Sequence, residues 1–213
     1  MQQQEKIIGT HFEPHKSNDQ RVREFQSRCF DQRYVGASLS GLEIPHWAAE
    51  QISNYIKNPK NFLVFLSKPG IGKTHFCSAL TEWHLEAFRS SRYWRERDLL
   101  ASLRQKISDG NGDYARALEY LIDDDIVILD DVGSGINVEK ASFRDLEWRT
   151  EILFAFLDQR YNSMKPTIIT SNFDKKSFET VYSERVASRL FAKENTIISI
   201  FDHSAIDKRT MGM

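Results

Sequence analysis

Cysteine is scarce in this sequence, which contains only two among its 213 residues. Cys29 and Cys77 lie far apart and show no paired-ligand spacing, so neither a disulfide framework nor a zinc knuckle is predicted. Long apolar runs are also missing. No window approaches the ~18 uninterrupted apolar residues of a membrane span, and the first residues lack the apolar stretch of a secretory signal. We therefore expect a soluble, cytoplasmic protein with no membrane partner.

An excess of charge of one sign is absent as well. The 29 basic and 30 acidic residues give a formal net charge of −1, so no global field attracts the protein to nucleic acid, and any such binding needs a local cluster. What the sequence does have is apolar material, since 40% of its residues are hydrophobic and 14 are Phe. This composition supports one domain of ordinary size.

The chain divides by pattern into two parts. Residues 1–44 are polar and mixed in charge, with a Gly/Ser-containing break, and are predicted to form an N-terminal extension and a linker. From 45 to 213, short apolar strands alternate with helical patterns, which is typical of a parallel sheet. The predicted strands are 61–67, 91–96, 125–131, 166–173 and 196–201. The predicted helices are 44–56, 74–88, 98–107, 114–122, 145–162 and 183–191.

The segment SKPGIGKTHF, residues 67–76, follows an apolar strand and opens a helix. In that setting its backbone N–H groups converge on phosphate oxygens at a helix N-terminus. Lys73 would reach the β and γ phosphates, and Thr74 would offer a hydroxyl to Mg²⁺. Ser67 stands where the usual pattern has its first glycine, but it only ends the strand. A nucleoside triphosphate site is predicted, built from Lys68, Pro69, Gly70, Ile71, Gly72, Lys73, Thr74 and His75.

Two acids end the buried strand pattern DIVILDD at 125–131. An aspartate at the tip of a neighbouring strand can hold the water shell of Mg²⁺, so Asp130 is the predicted metal residue. Asp131 is the candidate base that orients the attacking water. A glutamate is more usual at this second position, and Asp is one methylene shorter, so slow hydrolysis is expected. The alternative is an ordinary solvated acidic turn, because acids also precede the strand.

Two later segments carry polar side chains that suit a phosphate. PTIITSNF, residues 166–173, ends a strand near Asn172, where a side-chain amide can sense the γ-phosphate or hold the lytic water. SERVASRLF, residues 183–191, sets Arg185 and Arg189 four apart on one helix face, suited to a phosphate in an adjacent subunit. The alternative is a solvated arginine face paired with a neighbouring acid.

A local basic cluster, FRSSRYWRER at residues 88–97, is the candidate nucleic-acid contact. Guanidinium groups interleaved with aromatic faces are what sequence-indifferent binding of single-stranded DNA uses. The residues predicted to touch DNA are Arg92, Tyr93, Trp94 and Arg95. On a strand, Tyr93 and Trp94 would face opposite sides, so one of them is expected in the core. A plain amphipathic edge strand is the alternative.

Four motifs in order, KPGIGKTH, VILDDVG, ITSNF and ERVASRLF, resemble the AAA+ ATPases of the DnaC/DnaI replicative helicase loaders and the related IstB transposition ATPases. The resemblance runs from about residue 45 to the C-terminus. It implies a three-layer αβα P-loop core with a parallel five-stranded sheet, binding of ATP and Mg²⁺, and self-association through the ATPase domain. It also implies a replicative DNA helicase and single-stranded DNA as partners.

The resemblance also implies roles for single residues. Asn172 would sense the γ-phosphate, and Arg189 would act in trans as an arginine finger with Arg185 beside it. Arg209 would match the family's second sensor arginine, at a shifted spacing. The chain departs from the loaders at both ends, because residues 1–44 are shorter than their helicase-binding domain and the segment after the last strand is too short for a helical lid.

Several functions fit these motifs. The leading hypothesis is an ATP-dependent loader that binds a ring helicase and helps place it on single-stranded DNA. The runner-up is an IstB-like ATPase that assists transposition on duplex DNA. A small P-loop kinase and a nucleotide-gated adaptor with negligible turnover are alternatives from other classes.

Overall fold

The computed structural model describes residues 18–109, 114–136 and 142–201. Its strands are β1 Phe62–Ser67, β2 Ser91–Arg95, β3 Ile126–Val132, β4 Thr167–Ser171 and β5 Thr196–Ile200. Its helices are α1 Asn18–Cys29, α2 His46–Lys57, α3 Lys73–Ala79, α4 Thr81–Ala87, α5 Glu96–Asp109, α6 Tyr114–Ile122, α7 Phe143–Asn162, α8 Lys175–Val181 and α9 Glu184–Leu190. Two short 3₁₀ turns, Gln32–Tyr34 and Leu39–Gly41, lie between α1 and α2.

The strands of the described residues form one parallel sheet in the order β2-β3-β4-β1-β5. Every residue of β1 and of β4 is buried, which explains why these strands are continuous apolar runs without alternation. Because β4 lies between β1 and β3, the glycine loop after β1 and the acids of β3 flank the end of β4. The order of the strands therefore gathers the predicted site at the carboxyl edge of the sheet.

Helices cover both faces of the sheet. One face packs mainly against α5 to α9 in a core that includes Trp94, Leu129 and Phe156. The other face packs against α1 to α4 in a core that includes Tyr93 and Ile128. The predicted three-layer αβα fold with five parallel strands is confirmed. In the described part of the chain, no helix has both the length and the apolar character that crossing a membrane requires.

The segment before α2 packs onto the core of the domain. Gln26 of α1 is fully buried, and its amide donates to the carbonyls of Ala37 and Ser78, both at 3.0 Å. Ser78 belongs to α3, so these hydrogen bonds join the segment to the helix that follows the glycine loop. Residues 18–44 are thus part of the packed unit, and the boundary predicted at residue 44 does not separate a free linker from the domain.

Four helices differ from the predicted pattern: α3, α4, α5 and α8. The single helix predicted at 74–88 is divided into α3 and α4 at Leu80, which keeps a right-handed helical backbone. Helix α5 begins at Glu96, two residues before the predicted start at residue 98. Helix α8 was not predicted. It begins after Asp174, whose side chain caps it by accepting from the backbone N–H of Ser177 at 2.8 Å.

Candidate nucleotide-binding site

A cleft of about 730 Å³ opens at the carboxyl edge of the sheet. This is the edge at which parallel α/β sheets bind ligands. The loop before α3 lines the cleft, together with Asp130, Asp131 and Asn172 from the ends of β3 and β4. A further wall comes from several residues between 31 and 44, which the sequence motifs did not identify.

The glycine loop holds its lysine in a fixed place. Gly72 caps α3 with a φ of 102°, a left-handed conformation that glycine adopts readily. Lys73 begins the helix and is 7% exposed. Its Nζ donates to the carbonyl oxygens of Ser67 and Lys68 at 3.1 Å and contacts the Ser67 hydroxyl at 3.3 Å. The unusual serine therefore adds one more oxygen around the Lys73 ammonium group.

Asp130 is the polar centre of the site and is fully buried. Its Oδ2 accepts from the Thr74 hydroxyl at 3.0 Å and from the Tyr93 hydroxyl at 2.8 Å. Its Oδ1 accepts from the Thr170 hydroxyl and from Cys77 Sγ. Burial, together with the nearby carboxylate, raises the pKa of Tyr93, so its hydroxyl stays a donor. The predicted metal residues thus lie together.

Thr74 and Asp130 fit Mg²⁺ by their chemistry. Both offer oxygen, and Mg²⁺ is usually held by one or two carboxylates, several waters and the phosphates of the substrate. Within the described residues, no group of three or more His, Cys, Asp and Glu side chains could hold a metal ion. One carboxylate and one hydroxyl suit a metal ion that takes its other ligands from water and from the phosphates of a nucleotide.

Asp131 has a backbone conformation that is rare for a residue other than glycine, with a φ of 62°. Strain of this kind clusters at functional sites. The Asp131 N–H donates to Thr170 Oγ1 at 3.0 Å, and its Oδ1 accepts from Asn172 Nδ2 at 3.3 Å. The Oδ1 of Asn172 is buried and has no hydrogen-bond partner among the described residues. An unpaired acceptor beside a carboxylate is an arrangement that can hold a water molecule.

The turn that carries Asp131 is fixed from two sides. Gly133 has a φ of 83°, and a Cβ added there would lie 2.5 Å from the ring of Phe173. Its N–H donates to Glu96 Oε2 at 3.0 Å, while Glu96 Oε1 accepts from the Tyr182 hydroxyl at 2.5 Å. Burial raises the pKa of Glu96, and these hydrogen bonds oppose the shift. Glu96 lines the cleft but was not identified from the sequence.

The arginines of α9 are not among the residues that line the cleft. The Nε and Nη2 atoms of Arg189 both lie 2.9 Å from Asp158 Oδ1 on α7. Arg185 lies over the ring of Phe154, 3.9 Å from its centroid. A residue that acts in trans must lie away from its own cleft, but Arg189 is held by an acid of its own chain. Arg209 lies outside the described residues.

Three of the four residues predicted to contact DNA are buried in the structure. Tyr93 and Trp94 are 6% and 4% exposed, because helices cover both faces of this edge strand. Arg92 is 8% exposed and forms a salt bridge with Asp124. None of the three exposes a ring or a guanidinium group that a DNA strand in solvent could contact. Arg95 lines the nucleotide cleft instead.

Curated relatives resemble this chain at moderate to low identity. The replicative helicase loader DnaC of Buchnera aphidicola subsp. Baizongia pistaciae is 24% identical over 170 residues, which cover 79% of this chain and 65% of that protein. An ATP-binding protein named for insertion sequence IS1162 of Pseudomonas fluorescens is 31% identical over 146 residues, which cover 68% of this chain and 53% of that protein. The chain thus spans less than two thirds of the length of both relatives.

A crystal structure of the DnaC helicase loader superposes with a TM-score of 0.63 at 23% identity, covering 80% of this chain and 99% of that chain. This likeness shows the AAA+ P-loop fold. A family model described as IstB-like ATP binding protein matches residues 38–191, a range that includes all four sequence motifs. Because this match covers well over half of the chain, the protein belongs to the IstB-like ATP binding protein family, within the DnaC/IstB-like AAA+ family.

Proposed function

We propose that this protein is an ATP-dependent helicase loader, which binds a ring-shaped replicative DNA helicase and helps to place it on single-stranded DNA. The observation that carries the proposal is the meeting, at one edge of the sheet, of a buried lysine, a hydroxyl–carboxylate pair and an amide–carboxylate pair. The relatives named as loaders supply the choice of a helicase as partner. ATP binding and hydrolysis would switch the affinity for helicase and DNA.

In this proposal the residues of the cleft divide the work on ATP. Lys73 exchanges its carbonyl partners for the β and γ phosphates. Thr74 and Asp130 hold Mg²⁺, which would neutralise negative charge on the phosphates. Asp131 orients the attacking water, and the unpaired Oδ1 of Asn172 accepts a hydrogen bond from it. Because Asp131 is shorter than a glutamate, we expect slow turnover.

Assembly would complete the site. Arg189 of one protomer would reach the γ-phosphate of its neighbour, as trans arginines do in related mechanisms, so that the ATPase domains self-associate around ATP. This requires Arg189 to leave Asp158. Partly exposed ion pairs of this kind contribute only about 0–1 kcal/mol, so a neighbouring phosphate can displace the carboxylate.

An ATPase that assists transposition on duplex DNA is the second candidate. It is favoured by the IstB-like family model and by the relative from an insertion sequence. Both functions use the same ATP site, so the partner protein and the form of the DNA distinguish them.

In the test, the tagged protein is purified from its own host in the presence of ATP or of ADP, and the proteins bound to it are identified by mass spectrometry. Affinities for a single-stranded and a duplex oligonucleotide of one sequence are then measured in both nucleotides. The proposal expects a replicative helicase, a preference for the single strand and a loss of nucleotide dependence in Lys73→Ala. A transposase and a duplex preference would favour the second candidate. No helicase and equal DNA affinity in ATP and ADP would refute the loader.

A further inference from the structure

Arg95 is the last residue of β2, and it belongs to the edge of the sheet that carries the cleft. Strand β2 pairs in parallel with β3, and the register sets Arg95 opposite Asp130. The Arg95 side chain is 22% exposed and lines the cleft together with the glycine loop. The basic run that suggested DNA binding therefore ends inside the nucleotide site.

A series of polar contacts joins Arg95 to the predicted metal residues. The Thr74 and Tyr93 hydroxyls both donate to Asp130 Oδ2. A hydroxyl that donates to a carboxylate keeps its lone pairs for another donor, and the Arg95 guanidinium interacts with the Tyr93 hydroxyl. Burial lowers the pKa of Arg95, but Tyr93 and the nearby carboxylates outweigh it and raise the pKa overall. A permanent positive charge thus lies close to the place predicted for Mg²⁺ and phosphate.

The ion partner of Arg95 in this structure is a weak one. Its Nη2 lies 3.4 Å from Oδ2 of Asp31, a side chain that is 55% exposed. The same oxygen also lies 3.7 Å from Arg33, so two cations share it. Long contacts to exposed carboxylates contribute little, whereas an arginine can form two short, charge-assisted hydrogen bonds to a phosphate. A phosphate in the cleft would therefore compete well for Arg95.

We propose that Arg95 binds the terminal phosphates of ATP in the protein's own cleft, as a second cation beside Lys73, after it exchanges Asp31 for phosphate oxygens. This inference rests on the proposed function only in requiring that ATP binds in this cleft. It replaces the predicted DNA contact of Arg95 with a role in distinguishing a triphosphate from a diphosphate.

The test compares the affinities of a fluorescent ATP analogue and of its ADP counterpart for the wild type, Arg95→Ala and Arg89→Ala. Arg89 is the matched control, because it comes from the same basic run but is exposed and does not line the cleft. Because charge-assisted hydrogen bonds are lost, Arg95→Ala should lower the affinity for the ATP analogue by about tenfold or more. The ADP analogue should be affected less, and Arg89→Ala should change neither. Arg95→Gln serves in its place if the alanine variant does not fold.

The variant Asp31→Asn distinguishes a phosphate-binding role of Arg95 from a purely structural one. If Arg95 binds phosphate, removing its competing carboxylate should leave ATP affinity unchanged or tighten it, by up to about fivefold. If Arg95 only fastens the wall that carries Asp31, both variants should weaken ATP binding alike, and the inference is wrong.

Two further outcomes separate the inference from the proposed function. If Arg95→Ala binds ATP normally while Lys73→Ala does not, Arg95 has no phosphate role but the ATP site stands. If the wild type itself binds neither analogue, the proposed ATP-dependent function fails. The affinity for single-stranded DNA is measured in parallel. If Arg95→Ala loses DNA affinity while its ATP affinity is unchanged, Arg95 contacts DNA and the inference is wrong.

Discussion

Arg160 of α7 tests how the amino ends of the central strands are held. Its side chain is fully buried, and its guanidinium carries five N–H donors. The acceptors are Thr167 Oγ1 at 2.7 Å and the carbonyls of Ile122 at 2.7 Å, Asp124 at 2.8 Å, Asp125 at 3.3 Å and Pro166 at 2.6 Å. One side chain thus joins the end of α6 to the starts of β3 and β4, at the edge opposite the cleft.

Replacing Arg160 with lysine keeps the positive charge but removes the planar guanidinium group and its five N–H donors. An ammonium group has three donors, so at least two of the five oxygens lose their partner. Hydrogen bonds to charged groups contribute about 1.5–3 kcal/mol each, and Arg160→Lys should therefore lower the free energy of unfolding by about 3–6 kcal/mol. Burial lowers the pKa of Arg160 to about 10, but a buried charge remains in the lysine variant, so relief of that cost does not offset the loss.

The measurement is urea unfolding monitored by tryptophan fluorescence. The wild type and the variant must show equal m-values before their urea midpoints are compared. Arg144→Lys is the control, because Arg144 is exposed in the first turn of the same helix and should change stability by less than about 0.5 kcal/mol. A loss of about 3 kcal/mol corresponds to a fall in Tm of about 6–12 °C for a domain of this size. A loss below about 1 kcal/mol would refute the reasoning that the five donors hold the strand ends.

Lys73→Ala should abolish nucleotide binding, whereas Arg189→Ala should leave binding near normal and lower hydrolysis; equal loss of binding in a nucleotide titration would mean that Arg189 is structural or acts in cis. Gly133→Ala should lower Tm and hydrolysis more than Gly135→Ala, because both glycines have a positive φ but only the first substitution drives a Cβ into a ring; equal effects would rule out the collision. Burial lowers the pKa of His84 from 6.5 to about 3, so the fold excludes the charged imidazole, and this stability is present above pH 6.5 and lost as the pH falls. At pH 5 the wild type should have lost about 2 kcal/mol that His84→Leu keeps, and parallel pH curves in urea unfolding would contradict this.

The strand ends of the site could be predicted because chain order alone brings them together. Thr74, Asp130 and Asn172 each follow or end an apolar run, and parallel strands deliver their carboxyl ends to one edge. Continuous apolar runs also marked β1, β3 and β4, since a strand buried on both faces needs no alternation. The fold class and the nucleotide loop follow from the same local patterns.

Tyr93, Arg95 and Glu96 could not be placed in this way. The hydrogen bonds of Tyr93 to Asp130 and of Glu96 to the following turn, and the position of Arg95 opposite Asp130, depend on β2 lying next to β3. A local sequence pattern does not determine the order of the strands. Alternating arginine and aromatic residues fit an exposed DNA-binding strand as well as an edge strand covered on both faces. The cover on one face comes partly from residues before 44, whose polar composition suggested a linker.

Short helices are also hard to predict from the sequence. Helix α8 has seven residues, which is too few to show a helical period, and the amphipathic pattern that marks longer helices was absent. The N-cap gives a usable signal, because Asp174 precedes the helix and its side chain accepts from the N–H of Ser177. A capping residue of this type predicts the start of a helix even where the helix is too short to show a period.

The two arginines of α9 differ in what a neighbouring protomer would have to do. Arg185 lies over an aromatic ring and has no ion pair among the described residues, so a phosphate could engage it without breaking one. Arg189 directs two nitrogens to a single oxygen of Asp158, whereas a phosphate presents several oxygens to the same fork. In this structure Arg189 is paired with Asp158 of its own chain, and in the proposed mechanism a phosphate brought within reach would have to displace that acid. The predicted trans role of Arg189 therefore requires both a neighbour and its nucleotide, which would make hydrolysis depend on assembly without any change in the cleft itself.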